Sequence, residues 1–168
     1  MADDVHERLS RQLLLPPGSP VPAALRLLIV TGLGMVGADE GSFLVNDTDA
    51  GDLVFAMTVG NAASESMLLG QRVPITAGIT GLAATRREVQ IGTPTYTAVT
   101  QPGQNPTSVL AAPVIAHNNV LGVMTAVSFA EGRRFDGAAA RSFGGLAVVA
   151  GLLIDQAQQL ERAAQPSL

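Results

Sequence analysis

The sequence predicts a single α+β domain, an antiparallel sheet with helices before and after it. Three observations predict this class: apolar helical segments near both ends of the chain, two hairpin patterns between them, and short helical and extended runs around a long loop. The chain has 168 residues, 47% of them hydrophobic, which is enough for one core. We expect residues 1–18 to form a helix and a Pro/Gly linker, residues 19–164 the domain, and residues 165–168 a tail.

Two helices are predicted before the first strand. Residues 3–15 carry acidic side chains early and arginines later, as a helix dipole favours. Their apolar residues recur at every fourth position: Val5, Leu9 and Leu13. Prolines and a glycine at 16–18 end this segment. Ser19 and Pro20 then offer an N-cap and a first-turn proline for a second helix over residues 21–37.

Two hairpins are predicted in the middle of the chain. Residues 42–46 and 53–59 are strand-like and are separated by a polar turn cluster at 47–52. Residues 108–116 and 120–129 are joined by a His-Asn-Asn tip, and asparagines at such a tip suit a positive φ.

The segment between the hairpins holds shorter elements. We expect two short helices, residues 63–69 and 79–87, and two short strands, residues 71–74 and 89–92. Residues 93–107 contain three prolines and no charged side chain. Long loops inside a compact domain are usually functional or mobile, so we expect this loop to act as a lid.

The second hairpin is apolar on both faces. Three of its residues alternate with three others: Leu121, Val123 and Val127 with Val120, Met124 and Ala126. An antiparallel strand without a polar face must be covered on both sides. Helices can cover one side, and the other side requires loops or a ligand.

The last element is a helix from Asp136, a candidate N-cap, to about residue 164. A heptad seam runs along it: Phe143, Leu146, Ala150, Leu153, Ala157, Leu160 and Ala164. The other apolar residues lie off that seam, and we expect them to face the sheet: Val148, Val149 and Leu152. A helix with two apolar sides has two partners, so the seam favours a homodimer.

The composition excludes several kinds of function. The chain has no cysteine, which excludes disulfides, thiolate metal sites and cysteine nucleophiles. The net charge is −4, and the basic residues form only two tight pairs, so no nucleic-acid partner is expected. The N-terminus lacks a secretion signal, and the apolar stretches 27–38 and 144–154 are short for a bilayer span. We therefore expect a cytoplasmic protein without a membrane partner.

One stretch imitates a dinucleotide-binding turn. Gly32, Gly34 and Gly37 spell G-x-G-x-x-G after an apolar run. A cofactor would need a helix of ten or more residues next, but only residues 38–41 precede the first strand. A glycine-rich packed helix is favoured over a nucleotide site, and no cofactor is expected.

Other polar motifs have simple structural explanations. The acidic residues of the first hairpin tip, Asp47, Asp49 and Asp52, fit a turn better than a calcium loop. Two histidines, His6 and His117, are too few for a zinc site. Arg133-Arg134 are read as a solvated turn before the last helix, or as a contact to an anionic ligand or partner. No G-x-S-x-G elbow is present, so no catalytic residue is assigned.

The order of elements and four short motifs resemble a GAF domain over about residues 19–160. The motifs, with the phenylalanine that opens the last helix, are residues 69–75, 78–85, 108–115 and 120–123 and Phe135. The resemblance implies a sheet with the N- and C-terminal helices on one face and a ligand cavity on the other. It also implies dimerisation through the terminal helices, as is common in the family.

Some chemistries of that family do not suit this chain. Bilin attachment and reduction of free methionine sulfoxide both use cysteine. Of the cyclic-nucleotide signature only Phe135 is present, because Val127-Ser128 and Ala140-Arg141 stand at its other positions. Neither histidine is well placed to bind heme. The resemblance therefore implies a non-catalytic sensory or regulatory domain that binds a small molecule.

We expect an unidentified small ligand, apolar or neutral, in a pocket lined by Phe55, Met57, Met67, Ile79, Tyr96, Ser108, Met124 and Thr125. The methionines and Tyr96 are equally compatible with a plain core. The expected dimer interface comprises Val5, Leu9, Leu146, Ala150, Leu153, Ala157 and Leu160. The effector would be a separate protein, such as a kinase, phosphodiesterase or transcription factor. The alternatives are a ligand-free interaction module and, third, a small-molecule enzyme.

Overall fold

The elements follow one another in the predicted order. The computed structural model describes residues 2–93 and 106–164. The helices in these ranges are α1 (Ala2–Gln12), α2 (Val21–Val36), α3 (Ala62–Leu68), α4 (Gly78–Arg86) and α5 (Gly137–Ala164). The strands in these ranges are β1 (Glu40–Asp47), β2 (Asp52–Val59), β3 (Arg72–Pro74), β4 (Gln90–Gly92), β5 (Ser108–Ala116) and β6 (Asn119–Ser128). Most of the predicted lid, with Tyr96, and the tail lie outside the described residues.

The six strands form one antiparallel sheet in the order β3-β2-β1-β6-β5-β4. Strand β1 lies at the centre, where Phe43 pairs with Met57 of β2 on one side and with Met124 of β6 on the other. The tip of the second hairpin has positive φ angles at His117 and Asn118, 49° and 67°. The structure confirms an α+β antiparallel fold.

Each face of the sheet carries its own apolar core. The face towards α2 and α5, here the helix-side core, includes Phe43, Met57, Leu110, Met124, Ile29, Phe143 and Ile154. The other face, here the opposite core, consists of Leu44, Leu53, Phe55, Val73, Ala83, Ala84, Ala111 and Val123. Helix α5 packs on β5 on the first face, and α4 packs on β5 and β6 on the second. The prediction that the second hairpin is covered on both faces is confirmed.

The glycine motif belongs to a helix, because α2 continues through it. A Cβ at Gly32 would lie 2.8 Å from the Phe143 ring, so this glycine permits close packing of α5 on α2. Gly37 ends α2 in the left-handed conformation with φ 67°, the usual role of glycine at a helix C-terminus. The motif therefore arises from packing and capping.

Arg133 binds the end of α2, a contact that neither interpretation of the arginine pair predicts. Its guanidinium donates hydrogen bonds to the carbonyl oxygens of Gly37, at 2.7 Å, and of Val36. The guanidinium also lies 5.3 Å from the centre of the Phe135 ring. A cation at a helix C-terminus is favourable, so Arg133 fastens α2 to the segment that precedes α5.

The orientation of α5 differs from the prediction. Val148, Val149 and Leu152 do not face the sheet; their side chains are 63%, 41% and 65% exposed. The buried positions are instead seam residues or their neighbours: Phe143, Ala147, Ala150, Gly151, Ile154 and Ala157. The physical reason is that most of these residues are small, Ala147, Ala150, Gly151 and Ala157, which lets the helix approach β5 closely. A Cβ at Gly151 would overlap the carbonyl oxygen of Ile115.

Helix α5 is the one described helix long and apolar enough to cross a bilayer, with 28 residues and a mean hydropathy of 1.6 in its best 18-residue window. The uninterrupted apolar run inside it, residues 144–154, is shorter than a bilayer span. Length and composition are weak grounds for a membrane span. In that 18-residue window 28% of the helix is buried, and the buried residues of α5 belong to the helix-side core.

Candidate functional site

Three hydroxyl side chains lie side by side in the middle of the sheet. Ser42 of β1 pairs with Thr58 of β2 and with Thr125 of β6, and all three residues are buried. The Ser42 Oγ and Thr125 Oγ1 atoms are 2.5 Å apart. Thr125 pairs in turn with Ala111 of the opposite core. Since paired residues share a face, this hydroxyl row faces away from α2 and α5.

A buried carboxylate lies two residues before Ser42 on the same face. Glu40 is only 8% exposed. Its Oε1 accepts hydrogen bonds from Asn61 Nδ2 at 2.9 Å and from Ser64 Oγ at 2.8 Å. Asn61 is also the N-cap of α3, since its Oδ1 accepts from the Ser64 N–H. The carboxylate thus ties the start of α3 to β1.

These residues together form the candidate site, here called the polar site: Glu40, Ser42, Thr58, Asn61, Ser64 and Thr125. Thr58 is its unusual member, because its Oγ1 is buried and has no hydrogen-bond partner among the described residues. A buried hydroxyl without a partner costs about 1–3 kcal/mol. Stability therefore does not explain this hydroxyl, whereas a bound molecule with a polar group would.

The opposite core borders the polar site along the same strands. Leu44 lies two residues after Ser42 on β1, and Val123 lies two residues before Thr125 on β6. Leu44 and Val123 pair with each other. Phe55 pairs with Leu44 and belongs to the same core. An apolar surface beside a few convergent polar groups is the usual composition of a small-molecule site.

The predicted pocket residues divide between the two faces. Thr125 belongs to the polar site, Phe55 to the opposite core, and Ile79 packs against that core. Met57 and Met124 lie in the helix-side core, which corrects the prediction that they share a pocket with Phe55. The reason is an irregularity of register at Phe43/Leu44, which adds one residue to β2 and turns Phe55 to the other face.

Two further predicted pocket residues lie away from the polar site. The Ser108 Oγ accepts a hydrogen bond from the Phe135 N–H at 3.3 Å and so holds the segment before α5. Met67 of α3 is 39% exposed. Tyr96 lies outside the described residues.

Sequence reasoning missed Glu40, Ser42, Thr58, Asn61 and Ser64. A usable signal was the pair of polar residues two positions apart in an otherwise apolar strand, Glu40 and Ser42, which places both on one face. Their partners come from other strands, and only the register shows that Thr58 and Thr125 lie beside them.

The expected dimer residues have mixed positions. Leu9, Ala150 and Ala157 are buried in the helix-side core, and Val5 and Leu146 pack against it. These residues already have partners within the chain, which corrects the predicted interface. Leu153 is half-buried and Leu160 is exposed.

The acidic turn between β1 and β2 is held by an ion pair. Arg72 Nη1 lies 2.9 Å from Asp47 Oδ2 and 3.5 Å from Asp52 Oδ2. The hydrogen bond from Arg72 lowers the pKa of Asp47, helped by the Ala50 N–H, and the same hydrogen bond raises the pKa of Arg72. The stabilisation is present above the unfolded-state pKa of Asp47 and is lost as the pH falls through its lowered folded-state pKa.

Solved structures share this architecture. The GAF-B domain of DevS from Mycobacterium smegmatis is 24% identical, with a TM-score of 0.68, covering 85% of this chain and 99% of that one. The GAF domain of a phosphoenolpyruvate-protein phosphotransferase from Coxiella burnetii is 20% identical, with a TM-score of 0.70 and 96% of both chains covered. Part of a methyl-accepting chemotaxis protein is 20% identical, with a TM-score of 0.66, covering 83% of this chain and 92% of that one.

An enzyme also matches. Free methionine-R-sulfoxide reductase from Neisseria meningitidis, in complex with its substrate, is 19% identical, with a TM-score of 0.57, covering 86% of this chain and 89% of that one. No family model and no curated protein matches the chain. The agreement in TM-score and coverage leads to one conclusion: the chain has the fold of GAF domains.

Proposed function

We propose that this chain is a non-catalytic sensory or regulatory domain that binds a small molecule at the polar site. The observation that carries the proposal is the Thr58 hydroxyl, buried and unpartnered among the described residues, next to the Glu40 carboxylate. Domains of the same fold occur in proteins such as the chemotaxis protein named above. The signal would pass to a separate cytoplasmic effector protein, such as a kinase, phosphodiesterase or transcription factor.

The side chains of the polar site define the class of ligand. A carboxylate accepts hydrogen bonds only, and hydroxyl groups both donate and accept them. Glu40 therefore favours a ligand with amine, amide or hydroxyl donors, and the adjoining Leu44 and Phe55 favour an apolar remainder. The sequence predicts an apolar or neutral ligand. Glu40 adds molecules that carry a hydrogen-bond donor or a positive charge.

We expect at least one donor-bearing compound from a panel of amines, amides, amino acids and nucleosides to raise the unfolding temperature. A ligand at 100 times its Kd stabilises a protein by about 2.7 kcal/mol. Thr58→Val should leave the free protein as stable or more stable, because it removes an unpartnered hydroxyl. The same variant should lose much of the stabilisation by ligand, measured by thermal unfolding with and without the compound.

Thr48→Val is the matched control, because Thr48 is exposed in the turn between β1 and β2. It should respond to the compound as the unchanged protein does. The proposal fails if no compound in the panel stabilises the protein, or if Thr58→Val and the unchanged protein are stabilised equally.

We also propose that the chain self-associates through the outward side of its helices. The exposed large apolar residues on α2 and α5, here the outward stripes, are Leu27, Val30 and Met35 and Val148, Val149, Leu152 and Leu160. Exposed apolar surface of this kind is typical of protein interfaces. These residues replace the buried seam residues as the expected interface, and the same surface supports the alternative of a ligand-free interaction module.

Val149→Asp is expected to convert a dimer to a monomer, because it places a charge in an interface that excludes water. Sedimentation velocity measures the change. Ala138→Asp adds the same charge at an exposed position in the first turn of α5 and should leave the dimer intact. A monomeric unchanged protein, or a dimer that persists in Val149→Asp, would contradict this interface.

A further inference from the structure

An apolar slot of about 250 Å³ lies between α5 and the edge of the sheet. Its lining includes Arg87, Val89, Pro113, Ile115, Val148 and Leu152. Strand β4 pairs with β5 only over Val109–Ala111, so among the described strands the rest of β5 is a sheet edge. Pro113 lies on that edge, where the absence of an N–H group is tolerated. The slot is therefore a concave apolar surface next to backbone that β4 does not cover.

Two glycines of α5 bring the helix close enough to form this slot. A Cβ at Gly144 would lie 2.9 Å from a methyl group of Val89, and a Cβ at Gly151 would overlap the Ile115 carbonyl oxygen. Val148 lies between the two glycines in sequence and lines the slot. The helix is thus set against the sheet by a backbone contact at Gly151 and by the Val89 side chain at Gly144.

Arg87 is the charged residue of this slot within the described part of the chain. It directly follows α4 and has a left-handed conformation, φ 57°, where glycine is usual and other residues are strained. Its guanidinium has a weak contact, 3.5 Å from Nη1 to Asn118 Oδ1. A cation near a helix C-terminus is favourable, but Arg86 already supplies one without that strain. Arg87 thus lines the slot from a left-handed position at the end of α4.

We propose that this slot is a second binding site, for a small amphiphilic monocarboxylate. The carboxylate pairs with the Arg87 guanidinium, a geometry in which arginine can donate two parallel hydrogen bonds. The hydrocarbon chain lies against Pro113, Ile115 and Val148. With a volume of about 250 Å³ and about 30 Å³ for a water-sized group, the slot has room for a hydrocarbon chain on the order of eight carbons.

This site is distinct from the polar site. The polar site lies near Glu40, which pairs with Val127, and Val127 pairs with Val109 at the start of β5. The slot lies beside Ile115, six residues further along β5, which is about 20 Å for an extended strand. Ile115 also lies four residues, about 13 Å, beyond Ala111, which pairs with the polar-site residue Thr125. Binding at one site can therefore be measured without binding at the other.

The test is a titration of the full chain with sodium hexanoate, octanoate and decanoate and with octan-1-ol, all below micelle-forming concentrations. Methyl and amide NMR chemical shifts are recorded at each step of the titration. The resonances of Ile115 and Val148 should move. Each methylene that the slot covers should tighten binding about fourfold, so octanoate should bind about 15-fold more tightly than hexanoate. Decanoate should gain little more, because the slot is full, and octan-1-ol should bind at least tenfold more weakly than octanoate.

Two pairs of exposed positions supply matched variants. Arg87→Gln should bind octanoate no better than octan-1-ol, whereas Arg86→Gln should behave as the unchanged protein. Val148→Asp should abolish octanoate binding, because it places a charge against the hydrocarbon chain. Val149→Asp changes an outward-stripe residue that does not line the slot and should retain binding. Because Val148 and Leu152 belong to both surfaces, octanoate should bind this monomeric variant at least as tightly as the unchanged protein.

Several results would overturn the proposal. Octanoate and octan-1-ol could bind with equal affinity, or the affinity could keep rising beyond eight carbons. Arg86→Gln and Arg87→Gln could lose octanoate affinity equally, or the largest chemical-shift changes could fall on Ser42 and Thr125. The last result would place the carboxylate at the polar site, and a failure of the polar-site experiment alone would leave the slot unaffected.

Discussion

Phe143→Ala is expected to lower the free energy of unfolding by about 4 kcal/mol, the range found for large buried aromatic residues. The Phe143 side chain is fully buried where α5 begins to pack on the sheet. Its ring lies against Gly32 of α2, and that residue has no side chain to move into the space. The substitution therefore leaves a cavity between two helices that contact each other through glycine.

Urea unfolding followed by far-ultraviolet circular dichroism measures this loss, since the chain has no tryptophan and one tyrosine. Val149→Ala on the same helix is the control; its side chain is partly exposed, and we expect a change within about 0.5 kcal/mol in monomeric protein at low concentration. A loss below about 1 kcal/mol for Phe143→Ala would mean that α5 does not pack on α2 as described.

Gly151→Ala is expected to destabilise the chain by about 1–3 kcal/mol, although alanine is the better helix former. The added methyl group would overlap the Ile115 carbonyl oxygen. Backbone atoms cannot rotate away as a side chain can, so α5 must shift from β5 and loosen the helix-side core. The same shift should widen the slot beside Val148.

Gly145→Ala makes the identical chemical change on the same helix and is expected to have the opposite sign. No atom lies within 4 Å of a Cβ at Gly145, so the variant should gain about 0.5–1 kcal/mol of helix propensity. Urea unfolding of both variants gives the comparison. Stabilisation by both substitutions would show that α5 stands further from the sheet.

Local patterns predicted the elements because each element depends on its own residues. Period-2 apolar runs and a positive-φ tip identified the second hairpin, and the first strand of that hairpin has the predicted bounds, Ser108–Ala116. Asp136 acts as the predicted cap, since its Oδ1 accepts from the Ala139 N–H at 2.8 Å. The Ser19 Oγ accepts a hydrogen bond from the Val21 N–H at 3.2 Å, but the N-cap of α2 is Pro20 and not Ser19 as predicted. Such contacts span two or three residues and are visible in sequence.

The site was less predictable because its residues meet across strands. A single added residue in β2 separates Phe55 from Met57, and nothing in the local pattern announces it. Glu40 follows a polar turn in the sequence, and a carboxylate beside a turn is expected to be solvated. Glu40 is nevertheless buried, and it accepts hydrogen bonds from Asn61 and Ser64. Thr125, a predicted pocket residue, faces away from α2 and α5, and its part in ligand binding stays a prediction.

By itself the sequence determined the order and kind of the elements, the coverage of the second hairpin on both faces, and the absence of cysteine chemistry. Tertiary structure alone decided which side of α5 meets the sheet, which polar groups lie together, and where Arg87 and Arg133 reach. The physical reason is that helix and strand periodicities depend on neighbours in the chain. The face that an element buries, the strand register and the burial of a side chain depend instead on which surfaces pack together. In this chain the glycines and alanines of α2 and α5 determine how closely those surfaces pack.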